Sequence, residues 1–293
     1  MDVSIVIVTK NRSKELAKTL NILKPYLDLE IHEVLVFIDG CSETQDIMTS
    51  FEWVKWFKSE KSIGASPARN QLYQQASGKI YIGFDDDAHP LTTTFIKDVQ
   101  NLFHKTKDLG IIAFKEIKGI FESDIQALNY GIEESEHYYT NDFIGCGFAI
   151  SAEAYKKTNG FPTWMTIYGE ETCVAWEVLH NKYKILYTNQ IKVNHRVDLE
   201  ARKKTGKNYF RFKHQLINTI NFYLVYYQKP FIPIIKVIIH NGKKYGFKNK
   251  TYFKNYMFAL AQVVYKLPKT LKSRAPIAID NINTFKQLEA LKY

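Results

Sequence analysis

Ile80-Tyr81-Ile82-Gly83-Phe84-Asp85-Asp86-Asp87 is the stretch whose reading decides the fold. Its apolar run reads as a buried strand. Three carboxylates crowded at the C-terminal end of that strand repel one another, and a divalent cation relieves the repulsion best. In open α/β sheets, ligands bind beyond the C-terminal ends of the strands. The stretch therefore predicts a metal-assisted site for a phosphorylated ligand.

The same reading extends in both directions. Val3 to Val8 is a short β-branched strand, and the polar turn Thr9-Lys10-Asn11-Arg12 follows it. Ser13 to Leu23 has helical spacing, with Ser13 placed to cap it. Glu33 to Ile38 is a second strand, ending on Asp39-Gly40, and Trp53 to Phe57 is a short third. Ser66-Pro67-Ala68-Arg69-Asn70 opens a helix running through Gln75 that Gly78 closes. After the aspartates, Leu91 to Phe103 reads as a helix and Gly110 to Phe114 as a strand, while residues 115–140 show no clear period. Phe143 to Ile150 is a strand broken by two glycines, Thr172 to Asn181 a helix, and Lys184 to Thr188 a strand. This alternation predicts an α/β fold built on a doubly wound parallel sheet.

The chain has 293 residues, 45% of them apolar, so a sizeable core can form. Cys41, Cys146 and Cys173 show no CxxC spacing, which argues against a disulfide framework or zinc site and fits a reducing cytoplasm. The N-terminus has no basic n-region, so no signal peptide is expected, and no apolar stretch is long enough to predict a membrane span. Charge divides sharply. Residues 1–201 hold 21 Lys and Arg against 28 Asp and Glu; residues 202–293 hold 19 against 2. The basic, aromatic back end suits an anionic membrane surface better than nucleic acid. A solvated helical surface is the plainer alternative.

Six motifs occur in a fixed order: Val3 to Arg12 (VSIVIVTKNR), Asp39-Gly40, Gly64 to Asn70 (GASPARN), Phe84 to Pro90 (FDDDAHP), Gly145-Cys146-Gly147 and Gly169-Glu170-Glu171. In this order they resemble family 2 glycosyltransferases of the GT-A fold, over roughly residues 1–200. The resemblance implies a nucleotide-binding, Rossmann-like mixed sheet in a catalytic domain of residues 1–205. A basic, aromatic-rich helical segment of residues 206–293 follows it.

The resemblance also implies roles. Thr9 and Asp39 would contact the base and ribose of a nucleotide, with Asn11, Arg12 and Asp86 on the same donor-binding surface. Arg69 would pair with Asp85 or a phosphate. Asp85 and Asp87 would form the metal motif that holds a nucleotide-sugar diphosphate with Mn²⁺ or Mg²⁺. His195 would be a further ligand to the metal or a contact to the diphosphate. Gly145 and Gly147 would line the donor sugar, while Trp164 and Tyr168 either stack on an acceptor sugar or cover the core. Alternate residues of an extended chain face the same way, so Asp85 and Asp87 can serve one ligand while Asp86 faces elsewhere.

Glu170 and Glu171 open a helix, where carboxylates suit the positive end of the dipole. Displacement at an anomeric carbon needs a base to take the acceptor's proton, and a carboxylate in a pocket can do this. The family pattern at this point is usually Glu-Asp, with the second acid as base, which favours Glu171 over Glu170.

The expected activity is an inverting transfer of a sugar, most simply from a UDP-sugar, to a saccharide or lipid-linked saccharide. The expected setting is surface polysaccharide or glycolipid synthesis in the cytoplasm, peripheral to the membrane. The C-terminal helices would pack on the catalytic domain, pair two copies as a homodimer, or lie on the membrane. Two other readings stay open. A sugar-nucleotide nucleotidyltransferase is disfavoured because the first strand leads into Thr-Lys-Asn-Arg in place of a Gly-rich phosphate loop. A non-catalytic module binding membrane or nucleic acid would leave the acids without a role.

Overall fold

A computed structural model describes residues 1–130, 134–199 and 208–292. The chain forms β1 (Val3–Thr9), α1 (Ser13–Leu23), β2 (His32–Asp39), β3 (Lys55–Ser59), α2 (Ala65–Tyr73), β4 (Ile80–Asp85), β5 (Ala88–Pro90) and α3 (Phe95–Lys105). It continues through β6 (Leu109–Lys118), α4 (Asp124–Tyr130), β7 (His137–Tyr139), β8 (Gly147–Ser151), α5 (Ala152–Lys156), α6 (Glu170–His180) and β9 (Lys184–His195). Among the described residues, the C-terminal helices Tyr209–Tyr226, Phe231–Asn241, Lys250–Lys272 and Ile279–Gln287 follow.

One sheet runs β3-β2-β1-β4-β8-β6-β9-β5, with β7 beside β9. Strands β3, β2, β1 and β4 pair in parallel, but β8 is antiparallel to both β4 and β6. The doubly wound parallel sheet expected from the β/α rhythm is thus a mixed sheet. Hydrophobic periodicity carries no strand direction, and the excursion between β6 and β8 returns the chain from the opposite end. Glycines 145 and 147 do not interrupt one strand; β8 starts at Gly147, after a turn closed by Gly147 N–H to Ile144 O at 3.3 Å. Residues 115–140, unreadable by period, hold the end of β6, then α4 and β7.

The strand cores alternate as a pleat requires. Val6, Leu35, Phe37 and Tyr81 pack on one face, under α2 and α6. Ile5, Ile7, Val36, Ile82 and Phe84 pack on the other, under α1 and α3. Both faces are covered, which is why these strands read as nearly continuous apolar runs.

The C-terminal helices form a third cluster in which Phe212, Leu216 and Ile220 meet Tyr252, Tyr256 and Ala259. The chain then returns to the sheet, with Ile277, Ile282 and Phe285 in the core that also holds Trp176 of α6. The expected domain boundary at residues 205 and 206 lies outside the described residues.

Candidate active site

The strand ends converge because β4 stops at Asp85 and the chain turns at once into β5. β5 runs antiparallel to β9, pairing Ala88 with His195, and Arg196 N–H donates to Asp87 O at 2.9 Å. This register sets Asp87 beside His195, with Nε2 3.3 Å from Asp87 Oδ1. Ligand atoms of Asp85, Asp87 and His195 all lie within 4.8 Å of one another.

Asp87 Oδ1 is buried and accepts no well-aligned hydrogen bond among the described residues; its near neighbour is His195 Nε2, and a cation between the two would be a better partner for the carboxylate. The two carboxylates suit Mn²⁺ or Mg²⁺, and the added imidazole suits Mn²⁺ better than the harder Mg²⁺, so the residues fit such an ion. Behind the imidazole, Glu116 Oε1 lies 2.5 Å from His195 Nδ1. A carboxylate behind a ligating histidine fixes its tautomer and ring orientation. Burial opposes charge on His195, but Asp87, Cys146 and Glu116 hold its pKa up at about 12 without a metal.

Glu116, Cys146 and His195 form a second such triplet. Burial pushes the Cys146 thiol up to about 12, so this set offers a thiol where the first offers a hard carboxylate.

Asp86 turns inward. Its carboxylate accepts from Thr9 Oγ1 at 2.7 Å and from Arg12 Nη1 at 2.9 Å, and the same Nη1 reaches Asp87 Oδ2 at 2.7 Å. Burial pushes Asp86 up to about 6, with Arg12 and Thr9 pulling the other way. For Asp87, burial is outweighed by His195 and Arg12, and its pKa stays below the usual carboxylate value. Asn11, exposed and at φ 56°, donates its N–H to Cys41 Sγ at 3.2 Å. Thr9, Arg12 and Asp86 thus brace the turn that presents Asp85 and Asp87.

Asp39 also anchors a loop. Oδ1 accepts from Ile63 N–H at 2.6 Å, and Oδ2 from Ser62 Oγ at 2.7 Å and Gly64 N–H at 3.0 Å. Gly64, at φ 97°, lies so close to Thr166 that a Cβ there would sit 2.9 Å from its side chain. This loop leads into α2 and so fixes Arg69.

Arg69 is the hub of the site. Nη2 donates to Asp85 Oδ1 at 2.7 Å, and Nη1 donates to Glu171 Oε1 at 3.0 Å and Glu170 Oε1 at 3.2 Å. Its guanidinium lies 5.5 Å from the Phe161 ring centre. One buried cation therefore ties Asp85, of the candidate ion-binding cluster, to the acidic pair of α6. The two glutamates differ. Glu170 is buried, its Oε2 has no hydrogen-bond partner among the described residues, and burial together with Glu171 raises its pKa well above the usual range. The Glu171 side chain keeps 20% of its surface exposed. Gly145 makes room for this pair: a Cβ there would collide with Glu171 Oε1 and sit 2.8 Å from Arg69 Nη2. Gly147 serves packing, since a Cβ would meet Val193 at 2.7 Å.

Trp164 is buried in the core. Tyr168, at φ 74°, lines a cavity beside the first turn of α6. Beyond the expected residues, the fold brings in Glu116 and Asp142. Asp142 accepts from Phe143 N–H and Thr172 Oγ1, both at 2.9 Å, and burial pushes it up to about 7. Glu116 lies where no period was legible, and its partner is 79 positions away. His89 is directed elsewhere, to Asp124 and Arg196.

Comparisons with known proteins agree with this architecture. The profile of glycosyl transferase family 2 matches residues 4–157. S. aureus TarS 1-349 in complex with UDP-GlcNAc superposes with a TM-score of 0.61 at 16% identity, covering 92% of this chain and 83% of that one. Mannosyltransferase PcManGT from Pyrobaculum calidifontis, in complex with GDP-Man and Mn²⁺, gives 0.57 at 15% identity, covering 90% and 75%. GalNAc-T7 with UDP, GalNAc and Mn²⁺ gives 0.59 at 15% identity, covering 92% of this chain and 57% of that one. At such identities the likeness is one of fold. No curated protein matches in sequence. With the profile spanning more than half of the sequence and the GT-A fold shared, the chain belongs to glycosyl transferase family 2.

Proposed function

We propose that this protein is an inverting, metal-dependent glycosyltransferase. It moves a sugar from a nucleotide diphosphate, UDP-sugars first among candidates, to a saccharide or lipid-linked saccharide of a surface polysaccharide or glycolipid. The observation that carries this reading is the Arg69 bridge, which holds the metal-ligand cluster and Glu171 in one site. Similar folds bind UDP-GlcNAc, UDP and GDP-Man, which supports a nucleotide-sugar donor.

Asp85, Asp87 and His195 would hold the ion, with Glu116 orienting the imidazole. When bound, the ion supplies positive charge against the diphosphate leaving group. Glu171 takes the proton of the acceptor hydroxyl as that oxygen attacks the anomeric carbon. The new glycosidic C–O bond forms as the C–O bond to the diphosphate breaks, and the nucleoside diphosphate leaves with the electron pair. One displacement inverts the anomeric centre. Partial exposure favours Glu171 as the base; Glu170, buried and held neutral, supports Arg69 from below.

The test is release of nucleoside diphosphate from UDP-, dTDP- and GDP-sugars with Mn²⁺, Mg²⁺ or EDTA, beside Asp87→Asn and Glu171→Gln. Metal-dependent release lost in both variants is the expected result. No release and no metal-dependent nucleotide binding would refute the reading.

A second surface supports a peripheral location. Phe231, Ile232, Ile235 and Ile239 of helix Phe231–Asn241 are each at least half exposed, on a segment rich in lysine. No helix among the described residues is long and apolar enough to cross a membrane. An apolar stripe in basic surroundings suits the face of an anionic bilayer. Cosedimentation with phosphatidylglycerol vesicles but not with phosphatidylcholine ones, lost in Ile235→Glu, is expected. Equal binding to both would count against it.

A further inference from the structure

A cavity of about 650 Å³ opens between the start of α6 and the C-terminal helices. Gly169 and Thr172, which flank the acidic pair in sequence, form one wall. We propose that this cavity is the acceptor site and takes an anionic saccharide, whose phosphate or carboxylate is held by Arg211 and Lys244. The proposal rests on the glycosyltransferase reading above and names its acceptor class.

Charge carries the argument furthest. Arg211, Lys244 and His240 line the cavity, and no Asp or Glu does among the described residues. The described arginines of the catalytic half are bound to carboxylates: Arg12 to Asp86 and Asp87, Arg69 to three acids, Arg196 to Glu15. Arg211 and Lys244 have no such ion pair among the described residues. Both are exposed, so water screens each of them, but two cations on the wall of one cavity with no acid among its described lining give it a positive potential that attracts an anionic ligand.

Shape and chemistry agree with a sugar. The Arg211 guanidinium lies 5.2 Å from the Tyr168 ring centre, which orients its flat fork. Such a fork engages carboxylate and phosphate in a bidentate manner. Tyr168 itself is held at positive φ by Asn218, whose Nδ2 donates to Ile167 O at 2.7 Å and Tyr168 O at 2.9 Å. Lys244 projects from the π-helical turn Gly242–Gly246, a local irregularity of the kind found at functional positions. Phe222 and Tyr223 add aromatic surface, and Gln215 adds amide groups able to pair with hydroxyls.

The experiment is titration calorimetry of the whole chain with glucose, glucose 6-phosphate, glucuronate, inorganic phosphate and phosphatidylglycerol vesicles. It compares wild type, Arg211→Gln and Lys244→Gln, with thermal melts to establish folding and a UDP–Mn²⁺ titration on the same samples. A charge-assisted hydrogen bond lost should weaken binding by about tenfold or more. An anionic sugar is expected to bind at least about tenfold tighter than glucose, and each variant to lose about that factor for it alone. Equal binding of glucose and both anionic sugars, or unchanged affinities in both folded variants, would overturn the proposal. So would inorganic phosphate binding as tightly as the sugar phosphate. Vesicle binding abolished by Arg211→Gln, with no discrimination among sugars, would assign the cations to a lipid headgroup and overturn it too. Anion discrimination without any UDP–Mn²⁺ binding would support the anionic site and refute the donor reading alone.

Discussion

Replacing Arg69 with Met tests the electrostatic logic of the site. Met keeps much of the side chain's bulk against Phe161 but removes the charge that the carboxylates of Asp85 and Glu171 share. Breaking a buried ion pair by deleting one partner costs about 3–5 kcal/mol. The side chain of Asp85 is 34% exposed and that of Glu171 20%, so water screens part of the loss and the lower end, about 3 kcal/mol, applies. With an unfolding entropy of about 2.1 cal/mol/K per residue over 293 residues, that is a fall in Tm of about 5 °C. Melting of wild type and variant would be followed by circular dichroism at pH 7.5, about three units above ordinary carboxylate pKa values, and at about pH 4.5, close to them.

If uncompensated negative charge causes the loss, the gap narrows at the lower pH, where carboxylates in general lose charge. It narrows also in Arg69→Met combined with Glu171→Gln. A loss of the same size at both pH values and in the double variant would mean that packing against Phe161, not charge, is what Arg69 supplies. That result would refute the reasoning.

Gly145→Ala should leave the fold intact but push Glu171 off Arg69; displacement of about 1 Å at a reacting group can cost about 100-fold, read as kcat in nucleotide release. Glu116→Gln should weaken Mn²⁺ binding by about 10- to 100-fold, measured by Mn²⁺ titration followed by paramagnetic resonance; unchanged affinity would exclude Glu116 as the group that orients His195. Asp142→Asn should stabilise the protein in a pH-dependent way. Below about pH 4 the carboxyl is neutral in both folded and unfolded chains; as pH rises to about 7, only the unfolded chain has released the proton, so the wild type loses stability across that window. The advantage of the variant should grow through the same window and level off above it, to about 4 kcal/mol at most. A constant difference across pH would contradict a neutral, buried Asp142.

Much of the catalytic half is legible in the sequence by itself. The strands β1, β2 and β4 are buried on both faces, so their apolar runs announce them. The aspartates stand out because nothing in a strand end calls for three acids, and the six motifs in order supply the family. The basic, aromatic C-terminal third is fixed by composition alone. Only the tertiary structure decided which acids meet. Arg69 reaches Glu171 across 102 positions, and His195 meets Glu116 across 79. Such pairs depend on the strand order that sets β9 beside β6 and β5, and on the antiparallel β8 that no hydrophobic period encodes. The cavity beside α6 is likewise a property of helices packing on a sheet. Local sequence sets which face of each element is apolar; the elements' arrangement in space, settled by the burial of all those faces at once, determines which polar groups are left together at the open end.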